Sequence, residues 1–276
     1  MILKVILKKE IQIFFTALMF YTRIPVPQST GFSENNLNRA TKYFPLIGII
    51  VGSVGAFVYF ITATILNLHL SILFSLAATV LLTGAFHEDG FADFCDGFGG
   101  GYSQEQILEI MKDSRIGTYG AIGLLMMFLF KFFSLLAINP LQIPVVIIAA
   151  HAFSRMLPVL FIYTGKYVGK SSTSKSKPVG QKGSWQDVLI ALIFAVIPLA
   201  LIQWQVTLLI IPVSVILLYR FKAFVVKHIG GYTGDVLGAL QQLAELVFYI
   251  CFIVVQNNDI AFIIRTIQDC YKQSIS

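Results

Sequence analysis

From Phe44 to Leu68 the chain places no charged side chain. A helix over that stretch is long enough to cross a bilayer, whose apolar core takes about 20 helical residues. Six further apolar runs follow: Leu70 to Phe86, Tyr119 to Ile138, Leu141 to Tyr163, Val188 to Ile202, Val206 to Leu218 and Val236 to Val255. In lipid there is no water to bond, so a crossing backbone has to close its own hydrogen bonds, as a helix or a closed barrel does. These runs are continuously apolar rather than alternating, which selects the helix. The expected fold is all-α: a single polytopic integral membrane domain over residues 1–276, with about seven transmembrane helices (six to eight). With 57% of 276 residues hydrophobic and only 12% charged, a soluble globule is excluded.

The N-terminal stretch reads differently. Lys4, Lys8, Lys9 and Glu10 lead into apolar Ile11 to Tyr21 without a small-residue cleavage site, the pattern of an uncleaved amphipathic helix at the cytoplasmic interface. Pro25 and Pro27 break it. Elsewhere Lys and Arg collect in the connections at 87–118, 164–187 and 219–235, while the turns between them hold none. Basic loops of membrane proteins face the cytoplasm, so the net charge of +6 is a topology signal. It calls for a lipid bilayer, with no nucleic-acid partner. Arg265 and Lys272 sit uneasily with an outside C-terminus, so the parity of spans stays open. Cys95, Cys251 and Cys270 have neither the even count of a disulfide framework nor zinc-ligand spacing. The sequence leaves the oligomeric state open, a homo-oligomer included.

Charge is concentrated in one place, His87 to Gly101. On a helix Asp89, Asp93 and Asp96 stand at i, i+4 and i+7 and share a face, with Glu88 beside them. Carboxylates that close repel one another unless a cation intervenes, and a divalent metal turns them into oxygen ligands. Glu88, Asp89, Asp93 and Asp96 are therefore candidate metal ligands, set against a solvated acidic helix start. His87 adjoins the cluster off its face. Gly97, Gly99 and Gly100 allow close backbone approach to a phosphate. Lys112 and Arg115 are candidates for phosphate neutralisation, with ordinary positive-inside anchoring as the alternative, and Asp113 between them is a further candidate carboxylate of the catalytic site. Asp235 follows a Gly-rich turn and is a further ligand, a general base, or merely a helix cap. Arg155, at i+4 from His151 inside an apolar run, is expected to face the interior and meet a carboxylate or a substrate phosphate. Such a set suits Mg²⁺-dependent phosphoryl transfer from a diphosphate-activated substrate. A transporter with an acidic cation site is the competing reading.

Three stretches narrow this: Phe86 to Gly97, Met111 to Gly120 and Gly230 to Ala239. They resemble the signatures of the cobalamin synthase family, the adenosylcobinamide-GDP ribazoletransferases. So do the earlier Thr22 to Pro27 and Tyr43 to Gly48, and the resemblance runs in order from about Phe20 to Leu246. It implies a multi-pass enzyme of the bacterial inner membrane with its site on the cytoplasmic face. It also implies a reaction: a ribose hydroxyl of α-ribazole, or of its 5′-phosphate, attacks the cobinamide-side phosphorus of adenosylcobinamide-GDP with Mg²⁺ present. GMP leaves, and adenosylcobalamin or its 5′-phosphate forms in the last steps of cobalamin assembly. The acidic motif is similar, in chemistry alone, to that of the CDP-alcohol phosphotransferases that make phospholipids. Their arginine after the motif's alanine is missing, since Asp93 follows Ala92.

The charge pattern makes a direct prediction. A cysteine placed at Ser174 is expected to react with an impermeant thiol reagent only from the cytoplasmic side, and one at Gln205 only from the outside; the reverse labelling would invert the topology.

Overall fold

The computed structural model describes residues 2–31, 33–169 and 184–275, and the side chains of 7–28, 30–31, 33–169 and 184–258. Regular structure in these residues is helical, apart from one isolated bridge between Tyr167 and Tyr232. In chain order the helices are α1 (Ile2–Tyr21), α2 (Glu34–Ala40), α3 (Phe44–Ala63), α4 (Leu68–Thr83), α5 (Phe86–Gly100), α6 (Gln104–Ile110), α7 (Thr118–Leu136), α8 (Ile143–Ser154), α9 (Met156–Thr164), α10 (Trp185–Val196), α11 (Trp204–Ile229) and α12 (Gly234–Ile275). The lysine-serine stretch at 170–182 lies outside the described residues.

Five segments are long and apolar enough to cross a membrane: Glu34–Ala63, Thr118–Leu136, Ile143–Thr164, Trp204–Ile229 and Gly234–Asn258. The pair α4 and α5 passes the same test only together, bent by 89°, and Trp185–Leu201 is a shorter apolar helix. The set is thus close to the seven spans expected. Several boundaries differ from the apolar runs, and α12 for one continues past Val255 to Ile275. The fourth run divides into α8 and α9 at Arg155, and α11 continues past Leu218 to Ile229, carrying Arg220, Lys222 and Lys227 in helix. A helix closes its backbone bonds in water as well as in lipid, so it need not stop where the apolar run stops.

The helix α3 is built around a stripe of small residues. A Cβ at Gly48 would lie 2.8 Å from the Ala152 Cα, one at Gly52 2.8 Å from the Ile148 Cα, and one at Gly55 2.7 Å from the Thr79 methyl. Side-chain-free positions let α3 approach the backbones of α8 and α4 closely, which is how apolar helices associate without a hydrophobic force between them. Ser75 adds a hydrogen bond from its hydroxyl to the Gly55 carbonyl, 2.8 Å. Against the other side of α3 packs α1, through Ile13, Ala17 and Tyr21, while its Leu7 and Ile11 stay exposed. An enclosed Lys42 meets both Glu10 and Asp187, binding α1 and α10 to the start of α3.

The basic connections come together at one end of the bundle. Gln104 donates to the Ile229 carbonyl at 3.0 Å, Lys222 to the Thr164 carbonyl at 2.8 Å, and the Tyr232 N–H to the Lys166 carbonyl at 2.8 Å. Uncharged turns meet at the other end, where Tyr59 donates to the Pro140 carbonyl and Gln256 to the Ala137 carbonyl. Between α4 and α5 the chain bends through two successive left-handed residues, Gly84 (φ 67°) and Ala85 (φ 58°). Glycine takes that conformation freely; alanine does so at a cost of about 1–2 kcal/mol.

Gly48→Val is expected to lower the thermal stability of the detergent-solubilised protein by about 1–3 kcal/mol or to prevent folding, the scale of core overpacking. Wild-type stability would show that α3 and α8 are not in close contact at that level.

Candidate active site

The face of α5 that carries the acidic motif is brought against the first turn of α12. A Cβ on Gly90 would lie 2.9 Å from the Asp235 Cα, and one on Gly238 3.3 Å from the His87 carbonyl. The two glycines let the helices nearly touch, and this sets Asp235 beside residues some 140 positions earlier. Asp89 is exposed, while Asp93 and Asp235 are partly buried. The charges of Asp235, Asp89 and Asp96 all act on Asp93, and that of Asp89 acts on Asp235. The capping duty open to Asp235 falls on its neighbour: the Thr233 hydroxyl accepts the Val236 N–H at 3.3 Å and approaches Asp235 Oδ2 at 3.4 Å. Asp235 stands in the first turn, where the positive end of the helix favours a carboxylate.

Asp96 points the other way. One of its oxygens accepts the Gly117 N–H and the other the Gly120 N–H, each at 2.8 Å, so it caps α7 from a different helix. Both glycines are needed there. A Cβ at Gly117 or Gly120 would come within 2.9 or 3.0 Å of the Asp96 Cγ. The glycines at the end of α5 serve packing as well. A Cβ at Gly97 would press on the Ile107 carbonyl at 3.1 Å, and one at Gly99 on the Tyr119 ring at 2.6 Å, whereas Gly100 is exposed.

Lys112, Asp113 and Arg115 form the turn between α6 and α7. Arg115 grips Asp113 in a two-pronged pair, Nε to Oδ1 at 3.1 Å and Nη2 to Oδ2 at 2.7 Å. The guanidinium holds the Asp113 carboxyl below the usual carboxylate range. Lys112 is exposed.

Among the described residues no group of three or more His, Cys, Asp or Glu side chains converges to metal-binding distance. Asp96 is bound to backbone, and Glu88 faces the core, 9% exposed. The donors left on the shared face are Asp89, Asp93 and Asp235. A pair of carboxylates is what Mg²⁺ takes when it keeps several waters and substrate phosphate oxygens rather than a dedicated cage.

The family model described as Cobalamin-5-phosphate synthase matches residues 13–253. The chain is 42% identical over 254 residues to the adenosylcobinamide-GDP ribazoletransferase of Shewanella amazonensis, covering 90% of this chain and 96% of that one. Its namesakes from Ralstonia pickettii (45% identity; 87% and 94% covered) and Vibrio cholerae (38%; 92% and 98%) are similar over the same extent. The chain belongs to the cobalamin-5-phosphate synthase family. Membership places it at the final step of cobalamin synthesis. No solved structure matches it.

Inside this synthase-family bundle lies a polar network that the apolar runs conceal. Lys131 of α7 meets Glu245 at 2.9 Å and donates to Gln242 Oε1 at 2.6 Å. Gln242 Nε2 donates to Glu88 Oε1 at 3.0 Å. Glu245 also accepts from Gln241 at 2.9 Å and Tyr249 at 3.1 Å, and lies 3.6 Å from His151. Arg155, 1% exposed, lies over the Phe44 ring, donates to the His151 carbonyl at 2.7 Å, and stands 3.1 Å from that residue's Nδ1. Arg155 and Glu88 are thus enclosed among the core charges rather than set on an open surface. Gln241, Gln242 and Glu245 escaped the sequence reading, although three polar side chains at i, i+1 and i+4 in an apolar helix are a signal of an interior face.

Asp96→Ala is expected to destabilise the protein by about 2 kcal/mol, the scale of losing hydrogen bonds to a charged acceptor. Asp89→Asn should change stability by no more than about 0.5 kcal/mol. Thermal unfolding of both variants checks this; equal losses would contradict the division of roles between the two carboxylates.

Proposed function

We propose that this chain transfers the adenosylcobinamide-phosphate group of adenosylcobinamide-GDP to a ribose hydroxyl of α-ribazole or its 5′-phosphate, releasing GMP. The observation that carries the reading is the close approach of α5 at Gly90 to Asp235 of α12, which puts Asp235 within electrostatic reach of Asp89 and Asp93 at the end of the bundle where the basic loops gather, in a chain of this family. The acceptor oxygen forms a new bond to the cobinamide-side phosphorus while the bond from that phosphorus to GMP breaks. The proton of the hydroxyl passes to a carboxylate, assigned to Asp235, whose helix-capping duty Thr233 has taken over. Asp89 and Asp93 would hold Mg²⁺, which when bound neutralises charge on the diphosphate oxygens. Exposed Lys112 is assigned to the leaving GMP. Arg115 has the same task and is oriented by Asp113. By the positive-inside pattern the site opens to the cytoplasm across a bacterial inner membrane, where a water-soluble nucleotide substrate can reach it.

Purified protein given adenosylcobinamide-GDP, α-ribazole and Mg²⁺ is expected to release GMP in step with cobalamin formation. Asp93→Asn should abolish release while the protein still folds, and Asp235→Asn should lower kcat by roughly a hundredfold, as for loss of a general base. Asparagine caps helices as well as aspartate, so near-normal turnover in Asp235→Asn would remove that residue from the chemistry. Ion-gradient-dependent solute uptake without nucleotide release would instead favour a transporter.

A further inference from the structure

The buried chain of contacts from Glu245 through Lys131 and Gln242 to Glu88 is not used by the reaction, yet it ends one residue away from Asp89. Its order is fixed by chemistry. An ammonium can only donate and an ionised carboxylate can only accept, so a carboxamide between them has one satisfactory orientation, oxygen to Lys131 and nitrogen to Glu88. The geometry agrees: Gln242 Oε1 is 2.6 Å from Lys131 Nζ, and Nε2 is 3.0 Å from both Glu88 Oε1 and Gln241 Oε1. Lys131 is itself anchored on Glu245 at 2.9 Å, and all four side chains are nearly or wholly enclosed. Three helices meet in this chain, α7 through Lys131, α12 through Gln242 and Glu245, and α5 through Glu88.

We propose that Lys131 and Gln242 are positioning residues. Lys131 holds the Gln242 amide in the orientation that grips Glu88, and that grip sets the rotation of α5 at which Asp89 and Asp93 face Asp235. The inference rests on the site proposed above for its link to turnover. Its structural half stands apart from any reaction. Glu88 and Asp89 are adjacent, about 100° apart around α5, and one is buried while the other is exposed. A turn of the helix that released Glu88 would therefore change the setting of Asp89 relative to Asp235 of α12. Small displacements of reacting groups are costly in rate, roughly a hundredfold for about 1 Å.

The test uses Gln242→Met, close in size and unable to link Lys131 to Glu88, and Lys131→Met paired with Glu245→Gln, which removes one buried charge of each sign together. Lys131→Arg, which still only donates, is the conservative control. The first two variants are expected to fold, to keep KM within about threefold and to lose roughly a hundredfold in kcat, while Lys131→Arg retains most of it. A merely structural role predicts lower thermal stability with normal kcat per folded molecule, and that result would overturn the proposal. In a background with the native cysteines replaced by serine, spin labels at Gly100 and Asn258 report the setting of α5 against α12. Their distance distribution should shift or broaden in Gln242→Met, whether or not the wild type releases GMP. An unchanged distribution would overturn the positioning role, whereas a wild type that releases no GMP would remove the proposed reaction alone.

Discussion

Four carboxylates on one short helix repel, and the arrangement of the bundle depends on how that repulsion is divided. At about 4 Å two like charges oppose each other by about 1 kcal/mol in water and several times more near protein. The acidic residues of α5 meet three different fates. Glu88 is drawn inward by the Gln242 amide, and Asp96 is bound to the first backbone N–H groups of α7. Asp89 and Asp93 remain on the shared face with Asp235. Two helix N-termini, those of α7 and α12, lie against α5, and their positive ends offset part of the negative charge. The glycines at 90 and 238 make the second of these approaches possible.

The interior of the bundle obeys the same rule of balance. Lys131 and Arg155 are set against Glu88 and Glu245, two charges of each sign, with Gln241, Gln242, Ser154 and Tyr249 hydrogen-bonded among them. Buried pairs of this kind contribute little net stability, because desolvation offsets attraction, but removing a single partner costs about 3–5 kcal/mol. Their value is in direction: a hydrogen bond between helices fixes rotation about the helix axis, which the slippery contact of apolar side chains does not.

Much of this was legible in the chain. The apolar runs located the helices, though not all of their ends, since lipid leaves the backbone few alternatives, and the distribution of Lys and Arg separated the two ends of the bundle. What periodicity did not reveal was the orientation of individual carboxylates. Asp96 shares a helical face with Asp89 by spacing, yet its partners come from Gly117 and Gly120, a tertiary contact that no local pattern encodes. The glycines read as a phosphate cradle serve helix contact at Gly97 and Gly99, because a missing Cβ looks the same in sequence whether a ligand or a neighbouring helix fills the space. Lys131 had no visible partner until α12 was placed beside α7.

The cap that Asp96 places on α7 also ties three positions together as the sequence drifts. An alanine at Gly117 would drive its methyl into the Asp96 carboxylate, so it becomes tolerable only once residue 96 has shortened. Shortening residue 96 in turn leaves two N–H groups of α7 in need of another acceptor. Neither change is accessible alone without loss. Substitution across this joint therefore has to proceed in pairs, and chains that have crossed it would carry a different cap for α7, supplied from within the helix or from its own preceding turn.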